Sequence, residues 1–173
     1  MATYHPAKVV RKKDPATQQV LTFELGNETY GFEILRVREI RGWTAVTKIP
    51  QALPHVLGIL NLRGSIVPVM DLRMRFALQH AEYTQATVII VLTVTSQDGS
   101  REVGVVVDAV ADVVDVHAAD VKPAPYLGAS CATDYILGLV PVGERMTVLL
   151  NIDRLIDAEV TAFAAAAPTG AAA

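Results

Sequence analysis

The feature that most constrains this chain is a pattern of short apolar runs and turn residues that occurs twice. Residues 30–40 align with residues 103–113, and residues 66–72 align with residues 146–152. Runs rich in Val and Ile and bounded by Gly, Asn or Asp are typical of β-strands, and their repetition indicates an internal duplication. With four or five strands in each half, we predict an all-β fold of two small β-barrels packed together. The aligned pairs are Gly31 with Gly104, Val37 with Val110, Glu39 with Asp112, Ile40 with Val113, and Gly58 with Gly138.

The composition along the chain predicts three parts. Residues 1–18 are polar, charged and interrupted by proline, which predicts a flexible N-terminal tail. Residues 19–158 contain the predicted strands and form one unit of two barrel subdomains. Residues 159–173 are an alanine-rich C-terminal tail, and a short helix from about Asp153 to Phe163 leads into it.

The charge and cysteine content limit the kinds of partner and compartment. The chain has 173 residues and a formal net charge of −3, whereas nucleic acids and anionic membranes demand a basic face. The single cysteine, Cys131, has no internal disulfide partner, which indicates a reducing compartment. Apolar runs such as Thr87–Val94 are much shorter than the ~20 residues of a membrane helix, and the N-terminus does not resemble a signal peptide. We therefore expect a cytoplasmic protein with no nucleic-acid partner and no direct membrane insertion.

Residues that could perform chemistry are scattered along the chain. No two of the histidines have the spacing that places two metal ligands on one helix face, and no residue next to Cys131 would activate a thiolate. There is no glycine-rich phosphate loop and no serine in a nucleophile elbow. Asp71 and Asp153 follow apolar strands, where capping or turn roles are expected. We expect no enzyme activity, no metal site and no cofactor. The four histidines are His5, His55, His80 and His117.

Two segments are candidates for recognition of a partner. Val37–Trp43 mixes apolar and charged residues, which is typical either of an interface or of a half-buried strand with a solvated charged face. Asn61–Gly64 places Arg63 at a tip between two apolar strands, where it is either a plain turn residue or an interface residue. Because their charges are opposite and their predicted strands are neighbours, we predict that Glu39 pairs with Arg63.

Several blocks of the sequence resemble the CheW family of chemotaxis coupling proteins. The order Asn61-Leu62-Arg63-Gly64 followed by Ile66-Val67-Pro68 is the most specific of them, and the valine-rich blocks alone would be weak. The resemblance covers about residues 19–158. The blocks that carry it are residues 20–34, 37–42, 58–73 and 105–110, with Gly138 and residues 151–153.

The resemblance implies a fold, a function and a set of site residues. The fold would be two intertwined SH3-like five-stranded β-barrels with a hydrophobic groove between them and a short C-terminal helix. The function would be that of a non-enzymatic chemotaxis adaptor, recruited to membrane-associated receptor arrays. It would couple the regulatory domain of the histidine kinase CheA to the cytoplasmic hairpin tips of methyl-accepting chemoreceptors. The implied receptor-facing residues are Val37, Glu39, Ile40, Arg63, Gly104, Val110 and Val113, and the implied kinase-facing residues are Val46, Gly58 and Gly64.

Two sequence features do not fit the family pattern, and two alternative functions stay open. A longer turn around Ser96–Arg101 and the alanine-rich tail depart from the family pattern. The same surfaces would also serve a CheW-like scaffold in another chemosensory pathway, such as surface motility. A small β-barrel that binds a small ligand is the remaining alternative.

Overall fold

The computed structural model describes residues 16–78, 82–125 and 134–157, and its strands follow the apolar runs of the sequence. The strands are β1 (Thr17–Leu25), β2 (Glu28–Glu33), β3 (Val37–Gly42), β4 (Val56–Leu62), β5 (Ser65–Asp71), β6 (Val88–Ser96), β7 (Gly99–Val107), β8 (Ala109–His117), β9 (Ile136–Val142) and β10 (Arg145–Leu150). The helical segments are the 3-10 turns Ile34–Arg36 and Ala118–Asp120, the helix α1 (Leu72–Arg75), and a C-terminal helix over residues 152–157. The predicted C-terminal helix is confirmed for residues 152–157, and its predicted extension to Phe163 lies outside the described residues.

Each of the two sheets contains strands from both halves of the chain. Sheet 1 has the strand order β8-β1-β2-β10-β9, and sheet 2 has the order β3-β6-β7-β5-β4. If each strand is replaced by its counterpart in the other half, β1 by β6, β2 by β7 and so on, the strand order of sheet 1 becomes that of sheet 2. Each sheet therefore combines the first two strands of one half with the last three strands of the other half. This topology confirms the all-β prediction of two intertwined five-stranded units.

The duplication predicted from the sequence is also present in the strand register. Gly31 of β2 pairs with Leu149 of β10, and Gly104 of β7 pairs in the same parallel sense with Val69 of β5. At each glycine, an added Cβ would meet a neighbouring side-chain atom at 3.0 Å or less. The aligned glycines therefore have the same role in both halves, since each allows a close approach between central strands.

Among the residues that the structure describes, the core forms three apolar clusters. The largest, which we call the central core, contains residues of both sheets, including Phe23 and Phe32 of sheet 1 and Ile90 and Leu92 of sheet 2. Strand β6 is buried on both faces, because its alternate residues enter either the central core or a cluster that belongs to sheet 2 alone. Burial on both faces explains why β6 begins with an unbroken apolar run over residues 88–92. The sheet-2 cluster is Leu62, Val67, Val69, Ile89, Val91 and Val106, and the sheet-1 cluster is Val20, Val116, Val140 and Leu149.

Candidate partner-binding surfaces

Strand β3 lies at an edge of sheet 2 and contains a bulge that separates its apolar and charged side chains. Val37 pairs with Leu92 and Glu39 pairs with Val91, so β3 has one extra residue between the two pairs. Paired residues share a face of the sheet, and Leu92 belongs to the central core whereas Val91 belongs to the sheet-2 cluster. Val37 therefore lies on the central-core side of β3 and Glu39 on the opposite side. Ile40 pairs with a central-core residue and lies on the same side as Val37.

Strand β8 repeats this arrangement at an edge of sheet 1. Val110 pairs with Phe23 and Asp112 pairs with Thr22, so the bulge falls at the equivalent position. Val113 pairs with a central-core residue and lies on the central-core side of β8. Val110 is partly buried against the central core, whereas Val113 is 44% exposed. We call the four equivalent residues Val37, Ile40, Val110 and Val113 the apolar rim.

The apolar rim is incompletely covered by the rest of the described chain. Val37 and Val110 contact the central core and are half-buried, whereas Ile40 has the same 44% exposure as Val113. The bulges are the physical reason that these residues share a side with the core, because each bulge shifts the alternation of the edge strand by one residue. The rim is therefore an exposed extension of the central core on two edge strands.

The predicted pair of Glu39 and Arg63 is confirmed. A guanidinium nitrogen of Arg63 donates to Glu39 Oε2 at 2.5 Å, and Arg41 Nη1 lies 3.7 Å from Glu39 Oε1. One carboxylate is thus shared by two arginines. Since the side chain of Arg63 is 82% exposed, solvent weakens the pair, and it contributes at most about 1 kcal/mol to stability.

Arg63 has a backbone conformation that arginine rarely adopts. Its φ is +51° and that of Gly64 is +88°, in the two-residue turn between β4 and β5. Asn61 supports the turn, because its Oδ1 accepts from the backbone N–H of Gly64 at 2.9 Å. The equivalent position in the other half is Gly143, with a φ of +60°. A non-glycine residue in the left-handed region costs about 1 kcal/mol, so Arg63 occupies its turn at a conformational cost.

The kinase-facing residues implied by the resemblance all lie in or beside sheet 2. Val46 is half-buried and packs against the sheet-2 cluster. Gly58 is buried against the backbone of Thr47, and Thr47 exchanges two backbone hydrogen bonds with Ile59, at 2.8 and 3.0 Å. A side chain at position 58 would collide with the Thr47 carbonyl group. Gly64 is exposed at the tip of the β4–β5 turn.

Of the receptor-facing residues, Gly104 is placed differently from the rest. It is buried in β7 between β5 and β6, where an added Cβ would meet side-chain atoms of Ile89 at 3.0 Å and of Val69 at 3.2 Å. Gly104 therefore presents no surface to a partner, and its physical role is to permit close packing of the strands. Glu39 and Arg63 lie together, but on the side of β3 opposite to Val37 and Ile40. The implied set is thus divided into the apolar rim, a charged pair and a buried glycine.

A buried ionic network that the sequence did not reveal connects the two sheets. Arg73 donates to Asp71 through Nε at 2.9 Å and a terminal nitrogen at 2.7 Å, and its other terminal nitrogen donates to Asp108 at 3.1 Å. Asp108 also accepts from the backbone N–H of Gly26 in the β1–β2 turn of sheet 1, at 2.7 Å. We call the contacts of Asp71, Arg73, Asp108 and Gly26 the buried joint after its buried Asp71–Arg73 pair, whereas the side chain of Asp108 is 23% exposed and Gly26 is exposed. The predicted capping role of Asp71 is confirmed, because its Oδ1 accepts from the N–H of Arg73 at 3.0 Å.

Two aromatic side chains cover the buried joint. The guanidinium carbon of Arg73 lies 5.1 Å from the ring centre of Tyr83, and Tyr83 stacks on Trp43 with ring centres 4.0 Å apart. Hydrogen bonds from Arg73 to Asp71 raise the pKa of Arg73, although burial opposes them. Burial also raises the pKa of Tyr83, so the phenol stays neutral beside this network. The joint therefore holds a permanently charged arginine with its carboxylate partners.

A second ionic contact joins the sheets at the equivalent place in the other half. Arg36, at the link between β2 and β3, donates to Asp153 Oδ2 at 2.6 Å and to the hydroxyl of Thr95 at 3.0 Å. Asp153 Oδ1 accepts from the backbone N–H of Thr95 at 2.8 Å. We call the contacts of Arg36, Thr95 and Asp153 the exposed joint, because the side chain of Arg36 is 31% exposed and that of Asp153 is 23% exposed. A capping or turn role was predicted for Asp153, and its side chain instead bridges the sheets.

Within the described ranges, the side chains do not assemble a reactive centre. No group of three His, Cys, Asp or Glu residues there could hold a metal ion. A small open groove of about 60 Å³ lies beside the exposed joint, far below the several hundred Å³ of a typical small-molecule site. The helices in the described part of the chain are too short and too polar to cross a membrane. The groove is lined by Phe32, Glu33, Arg36, Leu137, Leu150, Asn151 and Ile152.

Comparisons with known proteins agree with this geometry. Residues 19–160 match the model of the CheW-like domain. The chain is 46% identical over 142 residues to a chemotaxis protein CheW of Klebsiella aerogenes, which covers 82% of this chain and 83% of that protein. It is 28% identical over 153 residues to Protein FrzA of Myxococcus xanthus, which covers 87% of this chain and 92% of FrzA.

A solved structure supports the same assignment. The crystal structure of the scaffolding protein TtCheW from Thermoanaerobacter tengcongensis superposes with a TM-score of 0.71 and 28% identity. The superposition covers 80% of this chain and 91% of that structure. The strands seen in this chain therefore form the SH3-like β architecture of that protein, and the chain belongs to the CheW-like family of chemotaxis scaffold proteins.

Proposed function

We propose that this chain is a non-enzymatic adaptor that couples a CheA-type histidine kinase to the cytoplasmic hairpin tips of chemoreceptors. The observation that carries the proposal is the apolar rim, because equivalent bulges in two edge strands leave Ile40 and Val113 exposed at the border of the central core. An apolar surface on edge strands suits a helical partner that covers it with its own apolar side chains. The receptor tip is the partner we assign to this surface.

A second surface on sheet 2 is assigned to the regulatory domain of the kinase. Val46 packs against the sheet-2 cluster, Gly58 lies against the backbone of Thr47, and Gly64 marks the tip of the adjoining turn. This surface is distinct from the apolar rim, which follows the central core. Two distinct surfaces allow both partners to be held at once, which raises the effective concentration of each near the other. The adaptor would act in the cytoplasm, at arrays of membrane receptors, without turning over a substrate.

Co-purification tests this proposal directly. The full chain is mixed with a CheA-type kinase, with a chemoreceptor tip fragment, and with both, and each mixture is resolved by size-exclusion chromatography. We expect each binary complex and a ternary complex of all three proteins. Failure of the chain to bind either partner would contradict the adaptor function.

Arg63→Ala and Val110→Glu refine the assignment of the surfaces. We expect Arg63→Ala to weaken binding to the receptor tip, to the kinase, or to both, while the thermal unfolding midpoint stays close to that of the wild type. Val110→Glu should weaken receptor binding more than kinase binding, because it places an unpaired charge in the apolar rim. Unchanged affinities of both variants for both partners would remove these residues from the binding surfaces.

A scaffold in another chemosensory pathway, such as surface motility, is the second candidate. It is favoured by the similarity to a relative with a different name, Protein FrzA, over most of the chain. The same co-purification, carried out with each kinase and receptor pair of the source genome, distinguishes the pathways by which pair is retained. The groove of about 60 Å³ gives little support to a small-ligand carrier. A thermal-shift screen that found a stabilising compound would restore that alternative.

A further inference from the structure

Gly58 is buried beneath a segment of backbone, although the family resemblance places it among the kinase-facing residues. The segment is residues 43–49, in the connection from β3 to β4, and we call it the covering segment. One pair of backbone hydrogen bonds joins it to the edge strand β4, from Thr47 N–H to the Ile59 carbonyl at 3.0 Å and from Ile59 N–H to the Thr47 carbonyl at 2.8 Å. A partner that docks on this side therefore meets the covering segment before it meets Gly58.

A side chain at position 58 is incompatible with the covering segment in its present place. A Cβ added to Gly58 would overlap the carbonyl group of Thr47 and would lie 3.2 Å from the Cα of Lys48. These are backbone atoms, which cannot rotate away as the end of a flexible side chain can. Substitution of Gly58 therefore moves the covering segment away from β4.

The covering segment presents apolar side chains from a fixed position. Trp43 and Val46 pack against the sheet-2 cluster and, together with the bridge at Thr47, hold the segment in place. Ile49 follows Thr47 by two residues and is 42% exposed. An exposed apolar residue on a segment that is already ordered binds a partner at a lower entropic cost than one on a mobile loop.

The other half of the molecule contains the same backbone arrangement. Lys122 and Leu139 of β9 exchange two backbone hydrogen bonds, at 2.8 and 2.7 Å, and Val121 packs against the sheet-1 cluster. A Cβ added to the buried Gly138 would lie 2.7 Å from the Lys122 carbonyl oxygen. Residues 118–124 are therefore the equivalent covering segment of β9.

The two covering segments differ in the side chains that they carry. When Thr47 is aligned with Lys122, alanine stands at the positions of Trp43 and Ile49. The backbone arrangement is thus common to both halves, whereas the large apolar residues belong to the segment over β4. The two alanines are Ala118 and Ala124.

From these contacts we infer that Gly58 is a positioning residue for kinase binding and that Ile49 is a direct contact of the kinase. Gly58 acts by allowing the covering segment to lie on β4, and it touches no partner itself. The inference rests on the proposed function for the identity of the partner, the regulatory domain of a CheA-type kinase. The equivalent segment over β9 does not serve this purpose, because it has alanine at the position of Ile49.

Binding and hydrogen-exchange measurements on the full chain test this inference. Gly58→Ala should weaken binding to a CheA-type kinase by about tenfold and leave the affinity for a receptor tip fragment unchanged, as measured by isothermal titration calorimetry. In the free chain, the amides of Thr47 and Ile59 should lose about tenfold in exchange protection, because they form the bridge that the added Cβ opens. Weaker kinase binding with unchanged protection would mean that Gly58 contacts the kinase directly, and would overturn the inference.

Gly138→Ala is the matched control in the other half. It should lower the protection of Lys122 and Leu139 by a similar factor and leave the affinity for the kinase unchanged. The φ of Gly58 is +151°, so Gly58→Ala carries backbone strain in addition to the overlap, and its receptor affinity reports whether that strain spreads. Loss of receptor binding in Gly58→Ala, or equal loss of kinase binding in Gly138→Ala, would show a general loss of structure and contradict the positioning role.

A double-mutant cycle with Ile49→Ala separates positioning from an independent contact. Ile49→Ala alone should weaken kinase binding by about fivefold, as for other apolar interface residues. In the Gly58→Ala background the same change should cost less than about twofold, since the covering segment is already displaced. Equal losses in the two backgrounds would show that position 58 acts independently of the segment. No effect of Ile49→Ala alone would remove Ile49 from the interface.

Thr47→Pro provides the test if Gly58→Ala does not fold. Proline removes the N–H that Thr47 donates to Ile59 and leaves Gly58 in place. We expect this variant to weaken kinase binding by about tenfold, and full affinity would overturn the inference. If the wild type binds the kinase and these variants bind it as tightly, the inference alone is wrong. If the wild type binds no kinase, the proposed function fails and the inference fails with it.

Discussion

The buried joint and the exposed joint connect the same two sheets at equivalent places, with acid and base exchanged. In the buried joint the arginine follows β5 and the bridging carboxylate follows β7, whereas in the exposed joint the arginine follows β2 and the carboxylate follows β10. Both carboxylates still accept a backbone N–H from the opposite sheet. The duplication has therefore kept the position of a cross-sheet contact and not the residues that make it.

The difference between the joints shows how burial sets the contribution of similar ion pairs to the free energy of unfolding. Removing one partner from a buried network leaves the other charge without water, whereas an exposed charge is simply solvated again. Asp71 and Arg73 are each 3% exposed and Arg36 is 31% exposed, whereas Asp108 and Asp153, the two carboxylates that bridge the sheets, are both 23% exposed. Substitutions at equivalent positions of the two halves can therefore test whether equivalent residues contribute equally to stability and binding.

The largest expected difference is between Arg73→Ala and Arg36→Ala. Arg73→Ala should lower the free energy of unfolding by about 3–5 kcal/mol, because Asp71 is left buried without its cation. Arg36→Ala should lower it by about 1 kcal/mol or less, as for other exposed ion pairs. Urea denaturation followed by circular dichroism measures both. Equal losses in the two variants would show that burial does not distinguish the joints.

The next largest effect concerns the two equivalent halves of the apolar rim. Ile40→Asp and Val113→Asp should each weaken binding to a receptor tip fragment by about a hundredfold, since burying an unpaired charge costs several kcal/mol. Isothermal titration calorimetry gives the affinities. Ile66→Asp is the control, because Ile66 is 62% exposed on β5 and lies outside the rim. An effect confined to one of the two rim variants would mean that the receptor contacts only one edge strand.

A smaller effect is expected at the paired glycines of the central strands. Gly31→Ala should lower the free energy of unfolding by about 2 kcal/mol and Gly104→Ala by about 1 kcal/mol, through overpacking. The order follows from the space available, since a Cβ at position 104 stays 3.0 Å from its nearest neighbour and one at position 31 approaches Val20 more closely. Thermal unfolding by calorimetry checks the order. A larger loss for Gly104→Ala would show that the space around each glycine does not set the order of the two losses.

The smallest effect is expected at the turn tips. Arg63→Gly relieves a left-handed conformation worth about 1 kcal/mol and removes an exposed ion pair of similar size, so stability should change by less than about 1 kcal/mol. Gly143→Ala should instead lower stability by about 1 kcal/mol, because alanine is strained at a φ of +60°. Urea midpoints of the two variants test this comparison. A loss of several kcal/mol in Arg63→Gly would show that the Glu39 pair matters more to the fold than its exposure implies.

Much of the fold could be predicted from local sequence, because strand pattern and turn chemistry are local properties. The hairpin from β4 to β5 was predicted from two apolar runs around Arg63 and Gly64, and the pair of Glu39 with Arg63 from opposite charge and neighbouring strands. The aligned glycines Gly31 and Gly104 were found because the duplication is visible in the residue order. The partner surfaces themselves came from a family resemblance and remain proposals.

Other features could not be predicted, because they depend on contacts between residues far apart in the chain. Asp153 was expected to have a local capping or turn role, yet it bridges to Arg36, and their sequence separation is 117 residues. Gly104 aligned with receptor-facing residues of the family, yet it lies in the interior. The local sequence around either residue contains no sign of this, since burial is decided by what packs on the opposite side of the strand.

The residue order by itself determined that this chain forms short strands in two similar halves, with a charged pair at one turn. Tertiary structure alone decided which half contributes which strand to each sheet, which side of β3 and β8 carries the apolar rim, and which of two ion pairs is buried. The physical reason is the distance along the chain over which each effect acts. Backbone preference and alternation act over a few residues, whereas burial and charge solvation depend on the whole packed arrangement of both sheets.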